Sequence, residues 1–121
     1  MKICFILSSL AFGGAEVVTI NLVNKLAGMS GIDVHVVCLK NKRDLIGRLD
    51  VRVGVRFLNV SANRKAVTGL LHYFRENSDF DYVVGVTDTC GILATLSAGL
   101  LGMKVIPVSH TGWENVFKGH S

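Results

Sequence analysis

Five short apolar runs, KICFIL at 2–7, DVHVVCL at 33–39, VRFLN at 55–59, DYVVGV at 81–86 and KVIPVSH at 104–110, constrain the fold of this chain more than any other feature. Each has the length of a strand. KICFIL is an apolar run ended by serines, as expected of a strand covered on both faces of a parallel sheet. Segments of helical period lie between most of them. From Ala15 to Met29 the residues Val18, Leu22, Val23 and Leu26 recur at three- and four-residue spacing, and Gly28 and Gly31 supply stop signals. Residues 64–77 place Val67, Leu70, Leu71 and Phe74 on one helical face, and 89–102 has helical length with small residues suited to close packing. The stretch 40–55 reads as a polar connection.

Strands separated by a dozen or more residues pair in parallel through crossovers. The order predicts an α/β fold: one Rossmann-like, doubly wound parallel sheet with helices on both faces. Pro107 has no N–H to donate, so the last strand is expected to be irregular or paired on one side only. With 121 residues, half of them hydrophobic, the chain is long enough for a single domain over 1–121 that needs no metal or disulfide staple. Cys4, Cys38 and Cys90 are odd in number and lack CxxC spacing, which predicts buried, reduced thiols and a cytoplasmic setting. The start of the chain does not read as a signal peptide, and no run reaches the ~18 apolar residues of a membrane span. Contact with a membrane, if any, is expected to be peripheral, at its inner face.

SSLAFGGAE, residues 8–16, lies where the first strand hands over to a helix. In open parallel sheets ligands gather outside the carboxyl ends of the strands. Gly13 and Gly14 remove two Cβ atoms there, so the main chain can take positive φ or be approached closely, beside a helix tip whose free N–H groups and dipole suit phosphate. The same pair also serves a tight turn or a helix start, and Glu16 reads as a first-turn cap. A dinucleotide fingerprint is absent: there is no GxGxxG, and Cys38, Leu39 and Lys40 close the second strand where a ribose-binding acid would stand.

Lys40, Lys42, Arg43, Arg48, Arg52, Arg56, Arg64 and Lys65 fall in one window against only Asp44 and Asp50, within a net charge of +4. The window reads either as solvated loop or as a patch for an anionic ligand or membrane surface; it lacks the interleaved aromatics of a nucleic-acid binder. No paired carboxylates, Ser-His-Asp set or metal-ligand constellation supports a hydrolase or metalloenzyme.

An apolar strand followed by SSLxxGGAE and a helix of the form VxxxNLxNxLA resembles the start of family 4 glycosyltransferases, and the resemblance runs on through DVHVVCL, DYVVGV and VIPVSH. It implies a retaining transferase of two-domain GT-B architecture, of which these residues form the N-terminal, acceptor-side domain. The resemblance gives Gly13 and Gly14 a role at the phosphate of a nucleotide-sugar donor. It makes His110, just after the last strand, the catalytic candidate, close to the reacting sugar; a hydrogen-bonded structural histidine is the alternative. Ser9, Thr87, Asp88 and Trp113 are candidate substrate contacts. Thr87 and Asp88 are equally suited to capping a helix, and Trp113 to covering the core. His35 and His72 are expected to be structural.

Family members continue into a second domain that holds the nucleotide and carries two glutamates seven residues apart, whereas Glu16, Glu76 and Glu114 are scattered. The expectation is a polysaccharide-type sugar transfer to a glycan or lipid-linked acceptor that needs the second domain or a partner subunit, the 121 residues alone being inactive. The donor enters as substrate, and neither a cofactor nor a metal is expected. The rival reading is a non-catalytic module that binds an anionic ligand, a membrane or a partner.

Overall fold

The computed structural model describes residues 1–10, 14–60, 64–86 and 88–107. Five strands, β1 (Lys2–Leu7), β2 (Asp33–Cys38), β3 (Gly54–Phe57), β4 (Tyr82–Gly85) and β5 (Lys104–Pro107), alternate with helices α1 (Gly14–Ala27), α2 (Arg64–Glu76) and α3 (Asp88–Ser97). All strand pairs are parallel, in the order β3-β2-β1-β4-β5. The α/β reading holds. β5 is an edge strand among the described residues, so Pro107 forfeits no ladder bond on its open side.

Strand alternation sorts the apolar side chains into two cores. Ile3, Phe5 and Leu7 of β1 join Val34, Val36 and Cys38 of β2 beneath Ile20, Val23 and Ala27 of α1. Cys4 and Ile6 point the other way, with Val37 and Val83, toward Leu70 and Phe74 of α2 and Leu93 and Ala94 of α3. Both faces of β1 are therefore dry, which explains its unbroken apolar run. All three cysteines are buried, and none forms a disulfide. Burial pushes the Cys38 thiol up to about 12, and raises Cys4 as well.

Helix faces differ from the sequence reading in detail. On α1 the buried stripe is Ile20, Val23 and Ala27, flanked by half-buried Val17, Leu22 and Leu26, whereas the spacing had centred it on Val18, Leu22, Val23 and Leu26. That helix is apolar almost all round, so periodicity cannot single out its face. On α2, Leu70 and Phe74 are buried as expected, but Ala66 and Tyr73 complete the face rather than Leu71. The expected helix 89–102 divides: α3 ends at Ser97, a separate 3-10 turn covers Gly99–Leu101, and Gly102 leaves it at φ 82°.

At the amino ends of the strands, Lys2 ties β1 to the turn before β4. Its Nζ donates to Asp79 at 2.8 Å and its backbone N–H donates to Asp81 at 2.8 Å. The hydrogen bond from Lys2 holds the Asp79 carboxyl below the usual carboxylate range. His35 sits mid-strand with its ring edge-on to Phe80 at 5.3 Å, a structural position, and His72 lies exposed on α2 within 3.1 Å of Glu76.

Candidate functional site

The strand order contains one reversal. From β1 the chain steps outward through β2 to β3, then α2 carries it back across the sheet to β4 on the other side of β1. The loops that leave β1 and β4 consequently diverge to opposite faces, opening a crevice at the carboxyl ends of these neighbours. β5 lies next to β4, with Gly85 opposite Pro107 and Ile6 opposite Gly85 in register. The exits of β1, β4 and β5 are thus level and consecutive along one edge.

The candidate site residues follow these three strands in sequence. Gly13, Thr87, His110 and Trp113 lie outside the described residues, and of Asp88 only the backbone is described, as the first residue of α3. Ser9 is buried, 8% exposed, on the loop leaving β1. Gly14 is the first residue of α1 and is exposed. Glu16 is half-buried in the first turn of α1, where its charge complements the helix dipole.

The loop leaving β1 is held in place from the side of β2. Leu39 and Lys40 donate backbone N–H groups to the carbonyls of Leu7 and Ser8 at 3.0 and 2.8 Å. Leu10 donates to Lys42 O at 3.0 Å, and Leu45 donates to Leu10 O at 2.8 Å. Leu10 and Leu45 are both fully buried, so segments 8–10 and 39–45 form one stapled rim rather than two loose loops. A small hollow of about 10 Å³ lies beside that rim, between Val17, Ile20, Asn21, Leu45 and Arg48.

On the β4 side, the crevice is fixed by a contact that the sequence reading did not identify. A Cβ on Gly85 would lie 2.5 Å from Gly91 Cα and 2.6 Å from Gly91 N, so the first turn of α3 rests directly on the end of β4. Val86 continues the strand direction by donating to Ile6 O at 3.1 Å. A glycine closing an apolar run, followed six residues later by a glycine inside a helix, was the available signal.

The basic window does not fold into one patch. Arg52 precedes β3, at the opposite edge of the sheet, and forms a bidentate pair with Asp50, whose carboxyl is lowered by it. Arg56 lies over the Tyr73 ring at 5.9 Å, on the face covered by α2. Only Lys40, Lys42 and Arg43 belong to the stapled rim, and Arg43 is turned onto the Phe57 ring at 4.3 Å with its Nε donating to Asn41 at 2.7 Å.

Among the described residues no cluster of His, Cys, Asp and Glu could hold a metal ion, and no helix is long and apolar enough to cross a membrane. The family model described as Glycosyltransferase Family 4 matches residues 12–121. No curated protein and no solved structure matches the chain.

Proposed function

The chain belongs to glycosyltransferase family 4, and from that premise we propose that it supplies the acceptor side of a retaining, GT-B type sugar transferase. The observation that carries the reading is the crevice where β1 and β4 part, with the exposed start of α1 on one wall. The free N–H groups of that helix tip would meet the donor diphosphate, and bare main chain at Gly13 and Gly14 would let it come close. In the reaction the bond between the anomeric carbon and the diphosphate oxygen breaks, a bond to an acceptor hydroxyl oxygen forms, and the hydroxyl proton is released. His110, which follows β5 in sequence, is assigned to the reacting sugar, where an imidazole can hydrogen-bond a hydroxyl or stabilise oxocarbenium-like charge. Thr87, Asp88, Ser9 and Trp113 are assigned to the acceptor.

The nucleotide is assigned to a second, donor-binding domain that closes over this edge. The test is transfer of radiolabelled sugar from a panel of nucleotide sugars, using the 121-residue chain alone and joined to a donor-binding domain of the same family. Transfer is expected only from the joined form. Turnover by the chain alone would contradict the division of labour, and no turnover by either form with any donor would contradict the transferase reading.

A further inference from the structure

We propose that Lys40 and Lys42 form a subsite for a phosphate group carried by the acceptor, set one strand away from the sugar-transfer crevice. Three observations lead there. Every other described basic side chain between residues 40 and 65 is engaged: Arg43 with Asn41 and Phe57, Arg52 with Asp50, Arg56 with Tyr73, while Arg48 and Lys65 also have partners. Lys40 and Lys42 are exposed, and their side chains make no hydrogen bond, ion pair or ring contact with a described residue. Their backbone is nonetheless fixed, because Lys40 donates to Ser8 O and Lys42 accepts from Leu10, between the buried anchors Leu39 and Leu45. Two ammonium groups without a partner among the described residues, on a rim held by backbone hydrogen bonds, raise positive potential there at little ordering cost to the main chain.

Position decides which phosphate they serve. The lysines leave β2, which lies on the side of β1 away from β4 and β5, so they stand roughly 5 Å or more, one strand spacing, from the crevice. A donor diphosphate at the tip of α1 is therefore separate from a group held here, and the group belongs to a part of the acceptor remote from its reacting hydroxyl. Lysine suits that duty, since an ammonium acts as a point charge on a mobile anion, whereas Arg43, the residue that would grip a phosphate in a fork, is held by its ring and amide partners. The carboxylate within this rim, exposed Asp44, does not pair with either lysine and leaves the rim net positive. The assignment of the phosphate to an acceptor rests on the transferase reading; its binding does not.

The phosphate can come from a soluble phosphate ester or from a lipid headgroup, and two probes separate them. Inorganic phosphate is titrated into the 121-residue chain while backbone amide shifts are followed. Sedimentation is measured with phosphatidylcholine vesicles that contain or lack phosphatidic acid. Wild type, the double variant Lys40→Gln/Lys42→Gln and the control Lys25→Gln are compared, Lys25 being exposed at the far end of α1. The expected result is saturable binding centred on residues 40–43 that weakens at least about fivefold in the double variant and is unchanged in the control. Lysine-dependent binding of phosphate alone indicates a soluble ester; lysine-dependent binding of the acidic vesicles, with or without phosphate, indicates a headgroup. Both support the subsite. Binding of neither probe, or binding equal in all three proteins, overturns it, whatever the sugar-transfer assay shows. The substituted positions are exposed, and matching thermal midpoints confirm that the variants are folded.

Discussion

Gly85→Ala examines the wall of the crevice most severely, because the added atom meets main chain and not a side chain that can rotate. The new Cβ would lie 2.5 Å from Gly91 Cα, 2.6 Å from Gly91 N and 2.7 Å from Cys90 C. Carbon contacts relax to roughly 3.5 Å or more, so α3 would have to retreat by about 1 Å. It cannot do so freely, since Leu93, Ala94 and Ala98 of that region are buried in the core shared with α2. Overpacking typically costs about 1–3 kcal/mol, and a backbone obstacle places this case at or above the upper end, about 3 kcal/mol. For a domain of this size that corresponds to a fall in Tm of roughly 10 °C. Thermal and urea unfolding followed by far-UV circular dichroism measure it, with Gly47→Ala as control, because a Cβ there meets nothing within 4 Å. The control should stay within about 0.5 kcal/mol of wild type. A Gly85→Ala protein equally close to wild type would refute the direct seating of α3 on β4.

Leu45→Ala removes a fully buried anchor of the stapled rim and should cost about 3 kcal/mol, read from the urea midpoint, with faster amide exchange at Leu10 and Lys40. The Lys2–Asp79 pair depresses a carboxylate, so its contribution is present above the unfolded carboxylate value of about 4 and is lost as pH falls below it through the lower folded value. The Tm gap between wild type and Asp79→Asn should accordingly narrow between pH 7 and pH 3; a gap that widens on acidification would contradict this. With Cys4 and Cys38 raised by burial and Cys90 also buried, thiol reagents at pH 8 should label the native chain far more slowly than the urea-unfolded chain, and prompt labelling of any cysteine in the folded state would count against the two dry cores.

The strands themselves were legible where burial is two-sided. β1 and β2 read as continuous apolar runs because both of their faces are covered, and their length excluded helices. The exposed surface of α3 was not legible: Ile92 and Leu96 are large, apolar and exposed, so composition gave no sense of which side meets the sheet. Gly85 escaped because its necessity depends on Gly91, a neighbour only in three dimensions. The basic window misled for the opposite reason, since residues close in sequence were carried by β3 and its flanking turns to different faces. Of the candidate site, the sequence placed its members after the first, fourth and fifth strands but not that these strands are neighbours. That adjacency comes from the reversal through α2, a long-range property that no local pattern encodes. The glycine pair lay between: its location at the start of α1 was clear, whereas a turn, a helix start and a close approach all ask for the same two residues.

Gly14→Leu separates access from architecture in a single measurement. Leucine is a better helix former than glycine, and Gly14 is exposed at the first position of α1, so a purely structural glycine would tolerate the change with equal or higher Tm. Measured as kcat/KM for sugar transfer by the chain joined to a donor-binding domain of the family, the variant should lose at least about tenfold, roughly 1.4 kcal/mol of transition-state stabilisation, while remaining folded. Undiminished transfer by a folded Gly14→Leu protein would contradict the claim that bare main chain at this helix tip receives the donor.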